Sequence, residues 1–318
     1  MALTGAAALL LLASCGQVQA PGGAGDGDGA RSAPPPGSPA VTSAPPEAAD
    51  VIDPDAELVG RPMLLQAGPD VPIVACLGGV QTSYPPRCGG PEIKGEFSWD
   101  QIGSEVAGGV TWSVDAAWVV GHYDADDGAA GSFTLTRPVS ADPPAGFTPE
   151  EPAGLDFPQL CEDPTADLER TDQDARTQAP DGADEEQALL SMLHDGGLEG
   201  YVTAYVSGGG ETFNVIVTGD AEVARQSVRE VYGGPLCVEQ RDLPTQEDVL
   251  AAQQALHDPA LGLALLSSGA GGVSGLLEVE VLLADRATVD AIHEAVAEWL
   301  TPDQVVISSA LQPLDEDA

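Results

Sequence analysis

Lysine is nearly absent from this chain: Lys94 is the only one, and Lys plus Arg number 11 against 51 Asp plus Glu, a formal net charge of -40. So negative a surface repels phosphate backbones and anionic headgroups, which argues against a nucleic-acid partner and favours cations and basic proteins. The plainest role of the acids is a solvated, soluble surface. Long hydrophobic runs are also missing. The longest, residues 6–13, falls well short of the ~20 apolar residues a spanning helix needs. Neither CxxC nor Cys/His metal spacing occurs, and the four histidines, His122, His194, His257 and His293, are far apart. A histidine-based metal site would need the fold to bring them together.

What the chain does have begins with the apolar run from Ala6, which closes on Leu12-Ala13-Ser14-Cys15. Its length suits a signal-peptide core. The string resembles the lipobox of bacterial lipoproteins, and a composition rich in Ala, Gly and Pro, with Arg in place of nearly all Lys, points to the actinobacterial type. The resemblance implies that residues 1–14 are a signal peptide, that Cys15 opens the mature chain, and that its thiol carries a diacylglyceryl unit. Each buried methylene contributes about 0.8 kcal/mol, so two or three acyl chains anchor stably to the outer, extracytoplasmic face of the cell membrane. Met1-Ala2-Leu3-Thr4-Gly5 departs from the pattern in lacking a Lys or Arg. An ordinary cleaved secretion signal with a coincidental cysteine is the alternative.

Apart from Cys15 there are four cysteines, Cys76, Cys88, Cys161 and Cys237, an even number in a chain expected to be exported, where disulfides persist. Three connectivities are open. Cys76 and Cys88 flank a short Gly/Pro-rich loop, and a bridge there would contribute on the order of 3 kcal/mol by loop closure. Cys161 and Cys237 then pair by default. A four-thiolate metal site is the competing arrangement.

Residues 15–70 are Gly, Pro, Ala, Ser and Asp with few aromatics, which predicts a flexible tether whose first 35 or so residues reach about 30 to 35 Å; apolar content rises near Leu58 to allow a docked edge segment. Residues 71–140 show short apolar stretches at 71–75, 95–99, 110–120 and 132–136, predicting a small all-β module of about five strands, a sandwich or barrel. An acidic, Pro-rich connector follows over 141–184. In 185–318 a strand-helix-strand unit occurs twice: Phe213 to Val217, Asp220 as cap, a helix through Val231, then Leu236 to Val238; and Leu277 to Leu282, Asp285 as cap, a helix bearing Val289, Ile292, Val296 and Leu300, then Val305 to Ile307. Asp184 caps an earlier helix ending near Gly196, and Thr245-Gln246-Glu247-Asp248 opens another as a capping box. The fold class is α+β, the two units laying their strands in one sheet of ferredoxin-like character.

Catalytic motifs fail on inspection. Gly272-Val273-Ser274-Gly275-Leu276 lacks the second glycine of a nucleophile elbow. His293-Glu294 has Ala297 where a zincin places its second histidine, and Gly208-Gly209-Gly210 precedes a strand, so it marks a hairpin. Asp124-x-Asp126-Asp127-Gly128 opens like a calcium loop but ends on Leu135 instead of a glutamate. No catalytic residue, cofactor or metal is assigned. Tyr84, Trp99 and Trp112 are the candidate rim of a recognition surface. The expectation is a lipid-anchored binding or envelope-associated protein with a cell-envelope partner; a hydrolase of envelope polymers, or a weak calcium or cation module, are the alternatives.

Overall fold

The computed structural model describes residues 51–149, 156–168 and 183–314. The expected signal peptide, Cys15, most of the expected tether and parts of the connector lie outside these residues. Among those described, no helix is long and apolar enough to cross a membrane.

Eight strands open the fold: β1 (Leu58–Gly60), β2 (Met63–Gln66), β3 (Ile73–Cys76), β4 (Glu92–Lys94), β5 (Ser104–Ala107), β6 (Val110–Ser113), β7 (Val119–Asp124) and β8 (Ser132–Leu135). They pair in the order β1-β7-β8-β4-β3-β2-β6-β5, all antiparallel except β4 with β8. Side chains alternate between two faces, as period-2 geometry requires. On β2, Leu64 enters the main core with Leu58, Val119 and Phe133, while Leu65 enters a separate cluster with Trp112 and Cys76.

Three expectations change here. β1 and β2 lie inside the sheet, so the ordered chain starts before Asp70; Leu58, Val59, Leu64 and Leu65 are buried, and four apolar side chains outweigh the spacer-like composition around them. Residues 95–99 form no strand, because Gly95 turns with φ +100° and Ser98 then caps a single 3-10 turn over Trp99–Gln101. The module is also larger than a five-stranded sandwich or barrel.

The remainder is built twice over. One unit runs α1 (Ala183–His194), β9 (Tyr201–Ser207), β10 (Thr212–Val217), α2 (Ala221–Arg229), β11 (Leu236–Gln240); the other runs α3 (Gln246–Leu256), β12 (Leu265–Ala270), β13 (Leu277–Val281), α4 (Arg286–Val296), β14 (Val305–Ser309). In each, the first two strands are an antiparallel hairpin and the third joins the second in parallel across a helix. The two strand-helix-strand units are therefore present, but the single ferredoxin-like sheet is not: each forms its own three-stranded sheet. The reason is the extra strand in front. β9 and β12 take the edge that the other unit would have needed, and each sheet closes its core with its own two helices.

Helix starts follow the sequence closely. Asp220 accepts from the Glu222 and Val223 amides, Thr245 from Asp248, and Asp285 from Thr288. Asp184, by contrast, lies within the first turn of α1 instead of capping it.

A last strand, β15 (Gln312–Pro313), pairs with β1 and completes a nine-stranded sheet. The C-terminal unit is thereby fused to the β module. Leu282, Leu283 and Leu311 fill the same core as Leu58, Leu64 and Phe133, and the Ile52 amide donates to the Ala284 carbonyl at 3.0 Å. A boundary that separates 71–140 from all of 185–318 does not describe this packing.

Candidate ligand cleft

The four cysteines stand as two pairs at disulfide distance, Cys76 with Cys88 and Cys161 with Cys237, their Cα atoms 5.8 and 5.5 Å apart. The second pair ties the connector to the first α+β unit. Around it the Leu160 amide donates to Asn214 Oδ1 at 2.9 Å, the Leu236 amide to the Pro164 carbonyl, and Arg229 binds Asp167 through two nitrogens at 2.7 and 2.8 Å. The Arg229 guanidinium holds the Asp167 carboxyl below its ordinary value. These residues are a structural clamp.

The aromatic trio does not assemble. Tyr84 is 79% exposed and meets Trp112 edge-on with centroids 5.7 Å apart, whereas Trp112 itself is only 7% exposed. Trp99 belongs to the other face of the sheet: its Nε1 donates to Gln66 on β2, the side Leu64 shares, and its ring packs edge-on against Phe97. Alternation along β2 thus separates Trp99 from the Tyr84–Trp112 pair.

The calcium-like loop is occupied by its own chain. Asp127 accepts from Lys94 and from the Ser132 hydroxyl, which lowers its pKa, and Asp124 accepts from the Asp126 amide. No group of three or more potential metal ligands converges among the described residues. Ser274 donates to Glu278, with no histidine in the arrangement.

Two recesses among the described residues have the dimensions of a ligand site, and the roomier of them is the candidate; the other, about 330 Å³, lies on the first α+β unit between α1 and β9. A cleft of about 600 Å³ opens between the β module and the second α+β unit, walled by residues 77–79 and 89–91 on either side of the first cysteine pair, by 129–131, by 262–266 at the start of β12, and by Leu282, Leu283, Asp285 and Thr288. Small-molecule sites span roughly 300–1,000 Å³ and are mostly apolar with a few polar groups. This one has the volume, and its wall offers polar and apolar surface in comparable shares: aliphatic side chains, open glycine backbone, Tyr123 and Thr288, with Asp285 the one charged residue lining it among the described residues. Tyr123, also in the wall, has its pKa raised by burial and by the negative field of Asp124 and Asp285.

Glycine makes the wall possible. A Cβ on Gly90 would run into the Ala75 carbonyl, so only glycine lets 89–91 lie this close against β3, where the Ala75 amide donates to the Pro91 carbonyl. Sequence reading singled out the Cys76–Cys88 turn but missed the cleft beside it. Its opposite wall comes from residues about 190 positions later, and nothing local in either segment announces the other.

Comparison with protein-family models and with curated proteins returns no match for this chain.

Proposed function

We propose that this chain is a lipid-anchored extracytoplasmic binding protein, tethered through Cys15, that works without catalysis and holds a small molecule of the cell envelope in the cleft beside Asp285. The observation that carries the binding role is the cleft itself: about 600 Å³, walled by aliphatic side chains and glycine backbone with Tyr123, Asp285 and Thr288 among them. Two cysteine pairs at disulfide distance support an oxidising compartment, as export would provide. The anchor rests on Leu12-Ala13-Ser14-Cys15.

Native mass spectrometry of protein purified from its own membranes tests the binding role. Wild type should retain a small-molecule adduct, and Gly79→Trp, which adds a large side chain at a lining position where a Cβ meets nothing within 4 Å, should lose it. No adduct on wild type, or one that persists in the variant, overturns the reading. For the anchor, a palmitate analogue should label wild type and fail to label Cys15→Ala.

A hydrolase is the second reading, and one contact favours it: Ser268 Oγ lies 3.2 Å from His257 Nε2. A nucleophile, however, needs its base oriented by a third group. Among the described residues no carboxylate bonds the other nitrogen of His257, and Gln253 also donates to the Ser268 hydroxyl. An active-site fluorophosphonate should leave Ser268 unmodified; labelling abolished by His257→Ala would establish the hydrolase.

A further inference from the structure

The charge of the cleft narrows what it can hold. Among the described residues its lining contains no Lys, Arg or His, so no cationic side chain there neutralises a carboxylate or phosphate, and the net charge of -40 adds to the barrier against an anion. The charge it does contain is half-buried Asp285. One oxygen of that carboxylate accepts from the Thr288 amide at 2.7 Å as the cap of α4, and the other has no partner among the described residues. Arg286, the next residue, is exposed, makes no ion pair among the described residues and does not line the cleft.

Resting on the ligand-binding reading of the same cleft, we propose that its ligand is an aliphatic amine, whose chain lies along the Leu265, Leu266, Leu282 and Leu283 wall and whose ammonium group donates to the free oxygen of Asp285. An ammonium supplies the donor and the positive charge that a half-buried carboxylate lacks, and the apolar wall takes the chain.

Calorimetric titration of the full folded protein with decylamine, decanol and decanoate, each below its micelle concentration, tests the selection. Decylamine should bind on the order of tenfold more tightly than decanol, the worth of a hydrogen bond to a charged group, and decanoate should give no heat. Asp285→Asn keeps the helix cap, since asparagine caps as well as aspartate, so the variant should melt close to wild type while its preference for the amine disappears. Gly79→Trp should abolish binding of both amine and alcohol. Amine binding that survives Gly79→Trp is adsorption to the acidic surface and overturns the proposal. Equal binding of all three probes, lost in Gly79→Trp, leaves the cleft a ligand site but ends the amine assignment; no binding of any probe counts against both readings.

Discussion

Replacing Asn214 should detach the connector from the first α+β unit. This side chain is fully buried on the central strand of its sheet, donates through Nδ2 to the Ser207 hydroxyl at 2.8 Å and the Thr212 carbonyl at 3.2 Å, and accepts the Leu160 amide on Oδ1. Asn214→Leu fills similar volume but provides no acceptor, so the Leu160 amide is left unsatisfied, a loss of about 1–3 kcal/mol. Asn214→Ala adds a cavity and should be worse, about 2–4 kcal/mol in all. At roughly 2–4 °C per kcal/mol for a domain of this size, the alanine variant should melt roughly 5–15 °C below wild type. Urea unfolding gives the free energy and amide hydrogen exchange gives the location. Leu160 should exchange quickly in both variants while the second α+β unit keeps its protection. If either variant stays within about 0.5 kcal/mol of wild type, or the Leu160 amide remains protected, the bond is not what holds the segment.

Removing the second cysteine pair by Cys161→Ser with Cys237→Ser opens a 76-residue loop, and chain entropy sets the loss at roughly 4.5 kcal/mol, against roughly 3 kcal/mol for the 12-residue loop of Cys76 and Cys88. The reverse ranking in chemical denaturation would contradict the entropic account. Gly90→Ala drives a methyl group into the Ala75 carbonyl and should destabilise by about 1–3 kcal/mol, measured by the same unfolding curve. The folded-state pKa of Asp167 is depressed by Arg229, so its contribution is present above the ordinary aspartate value of about 3.9 and is lost as pH falls through the lower native value. Arg229→Met should therefore flatten the acid limb of the stability profile while lowering stability at neutral pH. Tyr84→Ala should leave the melting temperature nearly unchanged, whereas Trp112→Ala should lose about 3–5 kcal/mol, because only Trp112 is buried.

Helix positions were the most legible feature. Asp220, Thr245 and Asp285 cap as their spacing implies, and Val249, Ala252, Leu256, Val289, Ile292 and Val296 form the buried faces that the 3.6-residue period predicts. β12 was not legible: Leu265–Ala270 includes two serines and a glycine, a weak strand signal, and it is a strand because β13 pairs with it across five positions. Trp99 and Trp112 looked equivalent in the sequence because nothing there says which face of the sheet a tryptophan occupies.

The residues alone determined the acid excess, the cysteine count, the helix caps and the duplicated strand-helix-strand pattern, since each depends on composition or on neighbours within a few positions. Tertiary structure decided that the pattern gives two sheets, that β15 returns to β1, and that Asp285 lines a cleft shared with residues about 200 positions earlier. Those outcomes follow from strand pairing and core closure between distant segments, and hydrophobic burial carries no label for which distant apolar face it will be satisfied against.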